Sequence, residues 1–384
     1  MRVAVHPAGD DACGLYRMVE PARVLADQGA DVYCTRTLTW RFSRTDDDRP
    51  YRLVDTVDSD VVVFQRPLAR RKYDMIRCLQ EAGVAVVVEL DDDFGNVHPR
   101  NAAWADAHPE WMTPAEAAER GVTTSERLTR GDHRWVRTPG VVSWSSNVWL
   151  RKACQVADLV TVTTPALAER YAPHGRVAVL PNLVPARYLD VTAAPHDGTV
   201  IGWGGSVNTH PDDLESAGGG IARAVDDTAA RFHVVGTGIG ARAALGLTCE
   251  PTATGWVDLD GWPVALADLD VGVVPLAATR FNEAKSALKM LEYAAAGVAC
   301  VAAPTPDNVR LARLGVGMLA ADPAHWRQWV ALLASNDDAR AYVAGRGREV
   351  AAGETYEAHA DRWWDAWAKA LDNRRATARE KAAA

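Results

Sequence analysis

The feature that most constrains this chain is a repeated rhythm: a short β-branched run, a turn rich in Gly or Asp, then an amphipathic helix. "RVAV", "DVVVFQ", "VAVVVEL", "DLVTVTT" and "RVAVLPN" set it up, and "TVIGW", "FHVVG", "VGVVPL" and "ACVAA" restart it after "TAAPHDG". The runs are nearly continuous in apolar residues rather than alternating. Such strands suit parallel sheets covered by helices on both faces. The first helix, "PARVLADQG", has Pro21 in its first turn and Gly29 just past its end, as helix termini favour. We therefore expect an α/β chain with two doubly wound, Rossmann-like parallel-sheet domains, 1–190 and 191–355. A length of 384 residues fits two such units.

Two segments break the rhythm. Residues 98–147 have no clear period and hold Trp104, Trp111, Trp135 and Trp144, with Trp149 just beyond. So many tryptophans predict a packed, Trp-rich insertion in the first domain rather than a structureless loop. In 356–384, Tyr356, Trp363, Trp367 and Leu371 recur at helical spacing. This helix should dock back on the first domain and leave a frayed tail, "NRRATAREKAAA".

Composition narrows the function classes. Hydrophobic residues make up 48% and charged residues 24%, as in an ordinary globular protein. The net charge of −8 argues against a dedicated nucleic-acid binder. The six cysteines are scattered without a C-x-x-C, so neither a zinc site nor a disulfide framework is indicated. No run approaches ~18 apolar residues, so no membrane span is expected. The N-terminal apolar run is too short for a signal peptide, and a cytoplasmic location is expected.

Ligands of open parallel sheets bind beyond the carboxyl ends of the strands, and this rule sorts the polar residues. "VVVELDDDFGN" runs one strand into Asp91, Asp92 and Asp93. The D-x-D spelling is compatible with a metal clamp, an acceptor-binding site or a solvated acidic turn. The loop after the first strand brings Gly14, Tyr16 and Arg17, and "DVVVFQR" ends on Arg66. Arg17 or Arg66 is the expected counter-charge of the aspartates. In the second half, "VIGWGGSVNTH" places Gly204, Gly205 and Ser206 after a strand, with His210 beyond. Successive N–H groups at such a turn can cradle phosphate. "VVGTGIG" lacks the third glycine of a dinucleotide fingerprint and is set aside.

The segment "FNEAKSALKMLEYAAAG" reads as one helix, N-capped by Asn282 and closed by Gly297. Lys285, Lys289 and Glu292 then share a polar stripe. A cation in the first turn opposes the helix dipole unless an anion binds there, which would put Lys285 beside a phosphate and Glu292 near ribose hydroxyls. A plain surface Lys–Glu pair is the other reading.

The order "PNLV", "IGWGGS…H", "VGVVPL…FN..KS.LK.LEY.A.G" resembles the donor half of GT-B glycosyltransferases, specifically the family 4-like retaining enzymes. "GLYRMVEPARVLADQGADV", "VVVELDDDF" and "ADLVTVTTPALAERY" resemble the acceptor half of a branch of that group. The resemblance covers most of the chain apart from 98–147 and the last dozen residues. It implies a GT-B fold with two domains facing across a cleft, and a nucleotide-sugar donor held mostly by the second. The donor side would comprise Asn182, Gly204, Gly205, Ser206, Asn282, Lys285, Lys289 and Glu292, with Glu292 on the ribose. Ala284 stands where the family has the first of its two glutamates, and Gly204–Ser206 replace its usual diphosphate-binding Arg and Lys. The aspartates take the place of its frequent histidine.

The implied reaction transfers a sugar to an acceptor hydroxyl with retention, without a metal ion or any other cofactor. Asp91, Asp92, Asp93 and His210 are the catalytic candidates, and Gly14, Tyr16, Arg17 and Arg66 form the acceptor-side rim. A glycan, a protein, a small molecule and a modified base are all admissible acceptors. Nucleotide-sugar 2-epimerases share the fold and are the alternative enzyme class, and a degenerate binding domain is the non-catalytic one.

Overall fold

The computed structural model describes residues 1–37, 40–44, 51–98, 100–101, 146–210 and 212–383. The tryptophans at 104, 111, 135 and 144, and with them nearly all of the insertion expected at 98–147, lie outside these residues. In chain order the strands of the first half are β1 (Val3–His6), β2 (Val32–Cys34), β3 (Phe42–Arg44), β4 (Tyr51–Leu53), β5 (Val61–Gln65), β6 (Ala85–Leu90), β7 (Leu159–Val162) and β8 (Val177–Val179). Those of the second half are β9 (Val200–Ser206), β10 (Arg231–Thr237), β11 (Thr252–Ala253), β12 (Val271–Val274), β13 (Ala299–Ala302) and β14 (Met318–Leu319).

They form two parallel six-stranded sheets, ordered β2-β1-β5-β6-β7-β8 and β11-β10-β9-β12-β13-β14, while β3 and β4 make a separate antiparallel pair. The two doubly wound domains expected from the sequence rhythm are thus present. Every residue of β5 and β6 is buried, which explains why their sequences are apolar apart from Gln65 and Glu89. Strand order reverses between β1 and β5, and again between β9 and β12. A crevice opens at the carboxyl end of each reversal. These two places receive the loop after β1, Arg66, the loop after β9 and the segment 275–287.

The chain returns to the first domain at its end. The helix Asp361–Ala383 packs on β5, β6 and β7, burying Trp363, Trp367 and Leu371. It continues to Ala383, where a frayed tail was expected. The reason is an anchor late in the helix: Asn373 donates to the Asp158 carbonyl (2.9 Å) and the Arg374 Nε to the Asp158 carboxylate (2.9 Å). Asp158 is itself buried and accepts the Val86 amide at 2.8 Å, so the helix is tied to the amino ends of β6 and β7. Among the described residues, no helix is long and apolar enough to cross a membrane.

Candidate active site

The first-domain wall begins at the loop after β1. The Gly14 amide donates to the Asp11 carboxylate at 2.7 Å, and a Cβ on Gly14 would lie 2.3 Å from the Gly9 carbonyl oxygen, so only glycine fits there. A π-helical turn, Leu15–Val19, then buries Tyr16 and Arg17. Arg17 does not face the aspartates. Its Nε donates to Glu89 at 2.8 Å and its Nη1 to the Leu180 carbonyl (2.6 Å) and Asn182 Oδ1 (2.9 Å). Glu89 sits inside the fully buried β6, and a carboxylate there needs a buried partner. Arg66 is the guanidinium on the aspartates' side: its Nη2 meets Asp11 at 2.8 Å and its Nε lies 3.9 Å from Asp91. Its φ of +46° is unusual for a residue with a Cβ and marks this crevice as strained.

The three aspartates have three different environments. Asp91 is 8% exposed, and neither of its carboxylate oxygens accepts a hydrogen bond. Asp92 reaches across the domain boundary to Lys285, 3.6 Å away. Burial, aided by the charge of Asp91, raises the Asp92 carboxyl to about 6 against the pull of Lys285. Asp93 accepts from the Gly95 amide (3.2 Å) and Asn96 (2.8 Å) and is ion-paired with Arg170. It is therefore braced as part of a turn.

On the second-domain wall, β9 extends through Ser206, so Gly204, Gly205 and Ser206 belong to the strand rather than to a turn beyond it. The Gly204 amide is engaged with the Tyr293 hydroxyl (2.9 Å), and its carbonyl accepts from Lys289 Nζ (2.6 Å). A free amide cradle at Gly204 is thereby excluded. Beyond the strand, His210 is hydrogen-bonded through Nδ1 to Asp213 at 2.9 Å. Burial lowers its ring to about 4 despite Asp213, so His210 is neutral near pH 7. Asp213 also accepts from Asn282 Nδ2 (2.7 Å) and the Ala277 amide (2.9 Å). Asn282 is thus a buried brace of the 277–282 loop and not the expected N-cap, a role taken by Thr279.

The expected helix over 282–297 is split. Arg280–Glu283 is one short helix and Leu288–Ala295 another, with Lys285 in the break. The backbone is diverted by outside partners: Thr164 donates to the Ala284 carbonyl (2.8 Å), and Asp307 accepts the Ala287 amide (2.7 Å). Asn182 reinforces the break by donating to Ser286 Oγ at 2.7 Å. Lys285 is therefore not in the first turn of a helix, and it points to Asp92. Glu283 pairs with Arg170 (3.3 Å), away from the position of the missing family glutamate. Lys289 and Glu292 keep a shared face on the second helix. Glu292 is buried and accepts from Tyr16 of the first domain and from Trp262 Nε1 (3.0 Å). Tyr16 also meets the Tyr188 hydroxyl at 3.0 Å.

Sequence reasoning missed Tyr188, Trp262, Thr164 and Arg170, for which no local signal exists. Asp213 was findable, three residues after His210 on a turn. Among the described residues, no group of three or more His, Cys, Asp or Glu side chains is placed to hold a metal ion.

Comparison with known proteins agrees with this architecture. Residues 200–336 match the family model described as "Glycosyl transferases group 1". Among solved structures, sucrose-phosphate synthase from Thermosynechococcus elongatus is 13% identical, with 100% of each chain covered and a TM-score of 0.57. HepE from Anabaena, solved with UDP-glucose, is 13% identical over 82% of this chain and 78% of its own, with a TM-score of 0.51. The pneumococcal O-GlcNAc transferase GtfA, solved with UDP and GlcNAc, is 10% identical over 81% of this chain and 57% of its own, also at 0.51. No curated protein matches the chain in sequence. The structural likeness gives the GT-B fold, and the family match gives the second half its class. The chain has the GT-B fold, and its residues 200–336 carry a domain of the glycosyltransferase group 1 family.

Proposed function

We propose that the chain moves a sugar from a nucleotide-sugar donor to an acceptor hydroxyl, with retention and without a metal ion. The observation that carries this reading is the gathering of Lys285, Lys289 and Glu292 at the strand reversal of the group 1 domain, opposite Asp91 and Asp92. Two lysines supply positive charge where a departing diphosphate needs it, and Glu292 supplies a carboxylate for ribose hydroxyls. Neutral His210 can exchange hydrogen bonds with the transferred sugar without adding charge. Asp91, whose two buried oxygens accept no hydrogen bond beside Arg66, is the candidate for gripping a hydroxyl on the first-domain side. Neighbours solved with UDP or UDP-glucose support a nucleotide donor.

The test is to incubate the protein with a panel of nucleotide-sugars and measure nucleoside diphosphate release, with and without candidate glycan, protein, metabolite and modified-base acceptors. Release should be accelerated by one acceptor class and should survive a chelator. Release of nucleotide with a 2-epimerised sugar and no acceptor dependence would favour an epimerase. Binding with no release of any kind, at the position where Ala284 replaces a family glutamate, would make the domain a non-catalytic binder.

A pH dependence follows from Asp92. Above about 6 its carboxylate is ionised and competes with the donor diphosphate for Lys285. Lowering the pH through that value protonates it, so donor affinity should rise several-fold between pH 7.5 and 5.5. Asp92→Asn should flatten this rise, and an unchanged slope in the variant would remove Asp92 as its origin.

A further inference from the structure

The Glu292 carboxylate is held asymmetrically. Both of its hydrogen-bond donors, the Tyr16 hydroxyl and Trp262 Nε1 (3.0 Å), land on Oε1. Oε2 receives no hydrogen bond from the described residues. One donor, Trp262, belongs to the second domain, whereas Tyr16 arrives from the first, 276 positions earlier in the chain. Tyr16 is itself rigidly placed: it is 1% exposed, stands on the π-helical turn, and its hydroxyl also contacts Tyr188 at 3.0 Å. Its carbonyl accepts from the Tyr356 hydroxyl, which leads the chain back to the first domain.

We propose that Tyr16 is a positioning residue for the donor: it fixes Oε1 of Glu292 from the opposite domain, leaving Oε2 for the vicinal diol of a ribonucleotide. This rests on the ribose role proposed above for Glu292. A carboxylate pinned at one oxygen cannot rotate away from the diol, so less freedom is lost when the nucleotide binds. Because the pin comes from the other domain, ribose recognition becomes dependent on the approach of the two domains. An open arrangement would loosen Glu292 and weaken its grip on the diol, and a closed one would tighten it.

The experiment titrates uridine, adenosine and guanosine diphosphates, and their 2′,3′-dideoxy counterparts, into wild type, Tyr16→Phe and Tyr188→Phe. Wild type should favour the best ribonucleotide over its dideoxy form by at least about tenfold, as expected for hydrogen bonds to a charged group. Tyr16→Phe should lose most of that preference by weakening the ribonucleotide about tenfold while leaving the dideoxy form nearly unchanged. It should also shift the acid loss of ribonucleotide binding to higher pH, because Glu292 then keeps one donor fewer. Tyr188→Phe keeps the Tyr16–Glu292 bond and removes only the second contact of the Tyr16 hydroxyl, so its loss of preference should be clearly smaller than that of Tyr16→Phe. A Tyr16→Phe protein that keeps the wild-type preference and acid limb, even with lowered thermal stability, would overturn the positioning role while leaving the ribose role of Glu292 intact. Wild type that binds ribo and dideoxy forms equally would overturn both.

Discussion

Arg17→Ala is expected to destabilise the fold by about 3–5 kcal/mol, the cost of leaving a buried carboxylate without its partner. Arg17 and Glu89 are 1% and 2% exposed at their side chains, and the guanidinium also serves the Leu180 carbonyl and Asn182. It stacks over Trp363 as well, 5.5 Å from the ring centre, so the truncation strips packing from the returning C-terminal helix. The loss should depend on pH with a definite sign. Burial already holds the Glu89 carboxyl above its usual value, and removing Arg17 pushes it higher. A group whose folded value lies above its unfolded one opposes folding once ionised. The variant's deficit should therefore be greatest near neutral pH and shrink as the pH falls toward the ordinary carboxylate range. Thermal unfolding midpoints at pH 5 and 7.5 read this directly. A double Arg17→Met, Glu89→Met change should recover much of the loss, and a variant as stable as wild type at both pH values would refute the assignment.

Asp91→Asn is expected to slow sugar transfer by about 10²-fold or more while leaving the fold and donor affinity close to wild type, the scale of losing a positioned acid–base or hydroxyl-gripping group. The reason is specific to this aspartate. Its two oxygens accept no hydrogen bond within the protein, so an amide of the same shape gives up only the 3.9 Å charge contact with Arg66, which keeps Asp11 as its partner. Asp93→Asn should do the reverse, lowering stability through the loss of the Arg170 ion pair with a smaller effect on turnover. Transfer rates and unfolding midpoints measured on both variants separate the roles. Equal losses of turnover in the two would mean that the acidic run acts only as a structural turn.

The architecture was legible because its physics is local. Runs such as "VVVF" and "AVVV" are apolar on both faces, and that alone favours a covered parallel sheet. The rim residues were legible for the same reason, since strand ends in such sheets face the crevices. What could not be read was how polar groups pair across long sequence distances. Nothing around Arg17 announces Glu89, 72 positions away, so the sequence leaves Arg17 and Arg66 as equal candidates for the aspartates' counter-charge. The helix over 282–297 has continuous helical periodicity, yet Thr164, Asn182 and Asp307 take polar groups of residues 284–287 and break it. Gly204 and Gly205 have the look of a turn in sequence but are strand residues, selected in part because a Cβ at Gly204 would lie 2.9 Å from the Trp262 ring. In each case tertiary partners overrode a correct local preference.

In the proposed function the group 1 domain holds a nucleotide-sugar through Lys285 and Glu292. Calorimetric titration of the best-binding nucleotide-sugar into wild type, Lys285→Ala and Glu292→Ala tests it most directly. Each variant should bind at least about tenfold more weakly than wild type while remaining folded. Both variants binding the donor as tightly as wild type would contradict the account.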